Sequence, residues 1–133
     1  TQDRLADFFD GDRNDLSGRF VAAADYTADG TVDVAVGTGA GVPARVTVYN
    51  GSPIRTQGLS FTGNLVGDRI DQFPPLAGSY SAGVSVGAAP QGFGQSSNLL
   101  YGVGGDGRAA ESFGVRFAPT IGGTFSRTVV FDS

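Results

Sequence analysis

Short runs of β-branched and other apolar residues, bounded by glycine, proline, asparagine or aspartate, recur along the chain about every ten residues. Glycine occupies 22 of 133 positions, which disfavours long helices, and only Arg4–Phe9 has a helix-like pattern. The spacing predicts one all-β domain built as a sandwich, barrel or propeller. We expect strands near Phe20–Ala24, Val32–Gly37, Arg45–Tyr49, Ile54–Phe61, Gly83–Ala88, Asn98–Val103, Ser112–Phe117 and Arg127–Phe131.

Missing residue types exclude several classes of function. The chain has no Cys, His or Lys, which rules out thiolate and imidazole metal sites, histidine general bases and Schiff-base chemistry. A formal net charge of −4 without a basic cluster argues against a nucleic-acid partner. No apolar run reaches the length of about 18 residues that membrane insertion requires. An oxygen-bound metal or a carboxylate pair remains as the available site chemistry.

An internal repeat emerges when the chain is shifted by 65 residues. The segment GRFVAAAD then aligns with GVSVGAAP, and VDVAVGTG aligns with SNLLYGVG, without a gap. We therefore predict a single domain over residues 1–133, with repeat 1 at about 5–57, repeat 2 at about 70–119 and a C-terminal strand at 125–132. In such an architecture each sheet unit covers the apolar face of its neighbour.

The segment DYTADGTVD has the oxygen spacing of a calcium loop. Side-chain oxygens stand at its positions 1, 3, 5 and 9, on Asp25, Thr27, Asp29 and Asp33. Gly30 permits a sharp turn, and the backbone carbonyl of Thr31 can complete the shell. Hard oxygen ligands of flexible geometry favour Ca²⁺ over Mg²⁺. The predicted metal ligands are therefore Asp25, Thr27, Asp29, Thr31 and Asp33.

Departures from an EF-hand define what kind of loop this is. The bidentate Glu of an EF-hand is replaced by Val36, and helices are not predicted on either side. We expect a calcium loop between two strands, with weak affinity because Thr27 is a neutral ligand. The alternative is a plain hairpin, in which Asp29 and Gly30 form a type I′ turn. In the second repeat, Pro90, Gly92, Gly94 and Asn98 take the ligand positions, so that loop should bind no ion.

Residues 20–51 together resemble an FG-GAP repeat, the blade unit of integrin-α-like β-propellers. In that family a strand leads into an acidic calcium loop, an apolar strand ending in Gly-x-Gly, and a strand ending in an aromatic-Asn/Asp-Gly turn. These elements stand here as Phe20–Ala24, Asp25–Asp33, Val34–Gly41 and Arg45–Gly51. The preceding segment LADFFDGDRNDLSG is similar to the blade-joining segment of bacterial members. The resemblance implies a secreted or cell-surface, calcium-stabilised propeller used in adhesion or ligand recognition.

The number of blades leaves the architecture open. Propellers usually contain four to eight blades, whereas this sequence supplies about two. The pair would belong to a longer polypeptide, close a ring from several copies, or be remodelled into a compact β-sandwich. The sequence does not choose among these arrangements.

Three functions are compatible with these features. The first is a non-enzymatic, calcium-stabilised structural or binding module that contacts a protein ligand. The second is a carbohydrate-binding module, which predicts exposed aromatic and Asp/Asn pairs between blades, and Tyr26 and Tyr80 are candidate exposed recognition aromatics. The third is a glycoside hydrolase fragment whose carboxylate pair combines Asp10 or Asp12 with Asp68 or Asp71. Asp10, Asp12 and Asp15 could instead form a second, looser cation site.

Overall fold

Two four-stranded antiparallel sheets make up the domain in the computed structural model, which describes residues 8–11, 14–92, 95–105, 107–122 and 124–132. In both sheets each strand pairs with the strand before it. The first sheet contains β1 (Arg19–Ala24), β2 (Asp33–Thr38), β3 (Val46–Tyr49) and β4 (Arg69–Phe73). The second contains β5 (Val84–Ala89), β6 (Asn98–Gly105), β7 (Arg108–Pro119) and β8 (Phe125–Asp132). The prediction of an all-β class is confirmed.

Helix α1 (Gly51–Gln57) and a 3₁₀ turn (Gly58–Ser60) connect β3 to β4, so the strand predicted at Ile54–Phe61 is wrong. The side chain of Asn50 caps α1 by accepting a hydrogen bond from Ser52 N at 3.1 Å. Pro53 is tolerated in the first helical turn, where no intrahelical donor is required. Neither helical segment in the described part of the chain is long or apolar enough to cross a membrane.

The other predicted strands overlap observed ones, but β4 was not predicted from the sequence. Its sequence, RIDQF, carries a charge at Arg69 and another at Asp71, and so lacks the apolar run that marks the other strands. The helix-like stretch Arg4–Phe9 lies mostly outside the described residues, and Phe8 and Phe9 are not helical.

The first two strands of each sheet pair in the same register, offset by 65 residues. Ala24 pairs with Asp33 in the first sheet, and Ala89 pairs with Asn98 in the second. The offset persists to the far ends of both hairpins. The repeat boundaries stay a prediction, and β4, which falls at the start of the predicted second repeat, pairs with β3 of the first sheet.

The main core lies between the two sheets. One face of the first sheet presents Ala35, Val46 and Val48, all fully buried, against Leu99 and Val115 of the second sheet. Gly37 lies on the same face and permits a close approach. A Cβ atom added at Gly37 would lie 2.1 Å from the backbone oxygen of Val84 on β5. Small residues on β2 thus let β5 pack directly against the backbone of the first sheet.

The opposite face of the first sheet has its own cover. Val36 and Tyr49 pack there against Ile54 of α1 and against Phe61. The ring of Phe8 lies edge-on to Tyr49, with 4.9 Å between ring centroids, and makes a similar contact with Phe61. Because both of its faces are covered, β3 is buried along its whole length.

The close approach at Gly37 generates a stability prediction. Gly37→Ala should lower the free energy of unfolding by about 1–3 kcal/mol, because the backbone of Val84 must move to admit the methyl group. Gly102→Ala is the matched control, since Gly102 holds the equivalent position on β6 and its nearest neighbour is the mobile hydroxyl of Ser85, at 3.1 Å. Urea unfolding of both variants measures the effects. Equal destabilisation by the two substitutions would contradict this packing.

Candidate metal centre

Residues 25–32 form a long loop between β1 and β2, and this loop carries the predicted ligands. Strand pairing ends at Ala24 and Asp33, so the two-residue type I′ turn at Asp29–Gly30 is wrong. Positive φ angles at Ala28 (61°) and Gly30 (82°) curl the loop inward. The N–H groups of Asp29 and Gly30 consequently donate to the carboxylate of Asp25, at 3.2 and 2.8 Å.

Three carboxylates meet inside this loop. Asp25, Asp29 and Asp33 each offer an oxygen, and the three oxygens lie within 4.8 Å of one another. Two oxygens bound to one Ca²⁺ at about 2.3–2.6 Å can lie at most about 5 Å apart. The three charged ligands predicted from the sequence therefore come together at a spacing that one calcium ion can bridge.

Asp33 is the buried member of this cluster, with no exposed surface. Its two carboxylate oxygens accept hydrogen bonds from Tyr26 N at 2.9 Å and from Gly51 N at 2.8 Å. Burial raises the pKa of Asp33 from 3.8 to about 6, and the charges of Asp29 and Asp25 act in the same direction. The two N–H donors lower that pKa without cancelling the effect of burial.

The charge of the cluster is not balanced by an ion pair with any described residue. No ion pair between described residues involves Asp25, Asp29 or Asp33. Their recorded partners are backbone N–H groups and the hydroxyl of Thr27. Hydrogen bonds of this kind stabilise a carboxylate without neutralising three negative charges held at one place. A bound divalent cation would supply the missing positive charge.

The two predicted threonine ligands lie in the same loop. The hydroxyl of Thr27 is 3.4 Å from Oδ2 of Asp33, which places it beside the cluster. Thr31 donates its N–H to Oδ1 of Asp29 at 2.9 Å. The roles of the Thr27 hydroxyl and the Thr31 carbonyl as ligands stay predictions.

The loop also joins the first sheet to the second. The ring of Tyr26 is fully buried in the core between the sheets, and its hydroxyl donates to the carbonyl of Gly87 on β5 at 3.2 Å. The N–H of Ser97, which precedes β6, donates to the backbone carbonyl of Asp25 at 2.9 Å. The expectation of exposed aromatics at Tyr26 and Tyr80 is wrong, because Tyr80 is buried as well.

The equivalent loop of the second sheet contains no acidic residue. Asn98 takes the place of Asp33, and its Oδ1 accepts a hydrogen bond from Nε2 of Gln91 at 3.0 Å. Arg116 donates to Oε1 of Gln91 at 2.7 Å. Pro90 takes the place of Asp25, so two of the three carboxylate positions carry no acid here, while Gly94, the equivalent of Asp29, lies outside the described residues.

The remaining acidic candidates have protein partners. Asp10 pairs with Arg19 at 2.7 Å and accepts a short hydrogen bond from the hydroxyl of Tyr49. Asp15 pairs with Arg19 at 2.8 Å, and hydrogen bonds from Ser17 and then Arg19 hold its pKa well below the usual range.

Asp68 and Asp71, proposed above as catalytic partners, are also engaged. Asp68 is fully buried and accepts hydrogen bonds from Gln57 and Leu65, whereas Asp71 pairs with Arg127. Asp12 lies outside the described residues.

Gly51 contacts the candidate site, and the sequence analysis did not include it among the site residues. The Asn50–Gly51 pair reads as a tight turn, yet it starts α1 and directs the Gly51 N–H at Asp33. A Cβ atom added at Gly51 would lie 1.9 Å from the backbone oxygen of Val32, so only glycine fits against the loop. The sequence signal that could have identified Gly51 is the Tyr49-Asn50-Gly51 turn at the end of the motif segment Arg45–Gly51.

Comparisons of the chain with protein-family models, with curated proteins and with solved structures find no match. The FG-GAP resemblance therefore stays a prediction based on the motif alone.

The buried carboxylate makes the metal-free protein sensitive to pH. Folding raises the pKa of Asp33 from 3.8 to about 6, so the folded chain binds that proton more tightly than the unfolded chain does. The stabilisation from this proton is complete below pH 3.8 and disappears as the pH rises through about 6. In chelator, ionisation of Asp33 should therefore lower the free energy of unfolding by up to about 3 kcal/mol as the pH rises from 3.8 through about 6.

Asp33→Asn isolates this contribution from the other carboxylates. The variant removes the ionisation and keeps an acceptor oxygen, so it should be less stable at low pH and lose less stability as the pH rises. Urea unfolding of both proteins in chelator, from about pH 4 to about pH 7, gives the two slopes. Parallel slopes would show that the Asp33 carboxylate is not perturbed by folding.

Proposed function

We propose that the chain is a calcium-stabilised, non-enzymatic structural and binding module. Ca²⁺ would be held by Asp25, Asp29 and Asp33, with oxygens of Thr27 and Thr31 completing the shell. The observation that carries this proposal is the cluster of three carboxylates, one fully buried, that forms no ion pair with an arginine among the described residues. Because Tyr26 and Asp25 contact the second sheet, the ion would fix the two sheets to each other.

We further propose that the two sheets are propeller-type blades. The shared hairpin register, the sequential strand order and the direct packing of β1 and β2 against β5 support this architecture. The two-sheet arrangement is equally consistent with a compact sandwich. One of the proposed side-chain ligands, Thr27, is neutral, so the loop should bind calcium weakly. Weak binding suits extracellular calcium, because extracellular modules bind the ion with dissociation constants of about 10⁻⁴–10⁻³ M. The proposed location is therefore extracellular or at the cell surface, with adhesion or protein binding as the role.

The two alternative functions have less support. The carbohydrate-binding proposal predicts exposed aromatics, whereas the two candidate recognition aromatics, Tyr26 and Tyr80, are both buried. The hydrolase proposal needs a carboxylate pair open to substrate, whereas Asp10, Asp68 and Asp71 each bind a protein partner. No specific observation favours either function over a binding module.

Asp29→Asn tests the calcium site with little disturbance to the fold. Asp29 is exposed, and its Oδ1 accepts the Thr31 N–H, a bond that an asparagine oxygen can keep. Calcium at about 100 times its dissociation constant should stabilise the wild type by about 2.7 kcal/mol, which raises Tm by several degrees. Loss of one charged ligand should weaken calcium binding by about tenfold or more, as measured by titration calorimetry and thermal melts.

Asp132→Asn provides the control, since it removes one negative charge from β8, outside the cluster. Its calcium-induced rise in Tm should match that of the wild type, and Mg²⁺ should produce a smaller rise in both proteins. Wild-type melts that superimpose in calcium and in chelator would reject the proposed function.

A further inference from the structure

The second sheet has an outer face that points away from the first sheet. Strand register places Ser85, Gly102 and Ser112 side by side on this face, and places Gly87, Leu100, Gly114 and Phe131 beside them. We call the surface formed by Ser85, Gly87, Leu100, Gly102, Ser112 and Phe131 the outer face. Neither buried core cluster includes Leu100 or Phe131. Within the described residues, the outer face is therefore not part of the core.

The outer face combines a projecting ring with a hollow beside it. The ring of Phe131 lies over Gly114, where a Cβ atom would come within 2.3 Å of it, and 44 % of Phe131 is exposed. Next to it is a depression of about 370 Å³ that reaches Gly87, Leu100 and Gly102. Phe20 of β1, 47 % exposed, lines an adjoining hollow that shares Gly102. Phe20 and Phe131, both exposed, thus lie on either side of a surface that includes Gly87 and Gly102.

The equivalent face of the first sheet shows what such a surface accepts. Ala35 and Gly37 of β2 correspond to Leu100 and Gly102 under the 65-residue offset of the hairpin register. Both are covered by the second sheet, and Val84 of β5 packs against the backbone at Gly37. A small-residue sheet face in this fold therefore accommodates another sheet of the same protein at close range.

The two ends of this stack of sheets are not alike. At one end, α1, Phe8 and Phe61 cover the far face of the first sheet, which blocks head-to-tail stacking of copies. At the other end, the outer face carries no comparable apolar cover from the described residues. Association between two outer faces is a closed arrangement that buries the uncovered end of each copy.

The chemistry of the outer face suits pairing with itself. The residues lining the depression carry no charge, and the exposed Arg116, two residues beyond Gly114 on the same face, donates to Oε1 of Gln91 at 2.7 Å. A two-fold axis would let Phe131 of each copy enter the depression of the other, a reciprocal contact that this symmetry requires. Edge-to-edge pairing of β8 is less suitable, because a register shift between Gly114 and Val115 distorts that strand's pairing.

We infer that the outer face is a homodimerisation surface, and that its partner is the outer face of a second copy of this chain. The inference rests on packing in the second sheet and not on the calcium loop. Four strands over about six residues cover about 400 Å², roughly half of the 800 Å² per partner that a standard interface buries. The dimer should therefore be weak, with a dissociation constant that is micromolar or higher.

Sedimentation velocity of the full chain from about 5 to about 500 µM covers this range of affinities. The wild type should pass from monomer to dimer, both in calcium and in chelator at a temperature where it stays folded. Gly87→Glu places a charge in the depression, where an added Cβ meets only Leu100 Cβ, at 3.9 Å. This variant should weaken dimerisation by more than about tenfold, because the charge would be buried at the interface.

Gly18→Glu is the matched control, because a Cβ atom there meets nothing within 4 Å and Gly18 precedes β1, outside the outer face. It should dimerise like the wild type. Phe131→Ala is a second probe of the interface if Gly87→Glu does not fold. A wild type that stays monomeric throughout the range would overturn the inference, as would a dimer unaffected by both outer-face substitutions. Dimerisation without a calcium effect on Tm would reject the proposed function alone.

Discussion

The carboxylate of Asp33 is the interaction on which the arrangement of the two sheets depends. One of its oxygens accepts the N–H of Tyr26, and the other accepts the N–H of Gly51 at the start of α1. Tyr26 in turn places its ring in the core and its hydroxyl on Gly87 of the second sheet. A single buried side chain therefore orients the β1–β2 loop, the helix that covers one face of the first sheet, and the residue that ties the first sheet to the second.

The protein stabilises its two acidic clusters in different ways. Asp10 and Asp15 are neutralised by Arg19, with Arg45 also close to Asp10 at 3.4 Å. Within the part of the chain that the structure describes, Asp33 is met by N–H and hydroxyl donors, with Asp25 and Asp29 beside it, so its burial is offset by protonation or by a cation. The second sheet forms the same hairpin with Asn98 in place of Asp33, and this amide, hydrogen-bonded to Gln91, carries no charge that must be offset. The calcium proposal explains why the two loops differ in charge.

Local sequence patterns predicted most of the strands and the meeting of the three carboxylates. The features that they did not predict depend on tertiary contacts. β-Branched runs located seven strands, and the spacing of Asp25, Asp29 and Asp33 predicted their meeting in space. Residues near Ile54 read as a strand because capping by Asn50 depends on local geometry that an apolar pattern does not encode. Tyr26 was expected to be an exposed aromatic residue, but its ring is buried and its hydroxyl reaches Gly87 of the second sheet. Contacts between sheets decide such cases, and periodicity within one strand cannot reveal them.

Residue-resolved amide hydrogen exchange, with and without calcium, tests most directly whether the Asp33 loop couples the two sheets. The amides of Tyr26 and Gly51 donate to Asp33, and the amide of Ser97 links the second sheet to Asp25. If calcium stabilises this junction, exchange at all three amides should slow together, including at Ser97 near the neutral loop. Slower exchange confined to residues 25–33, with Gly51 and Ser97 unchanged, would contradict the account and leave the loop as an isolated feature of one hairpin.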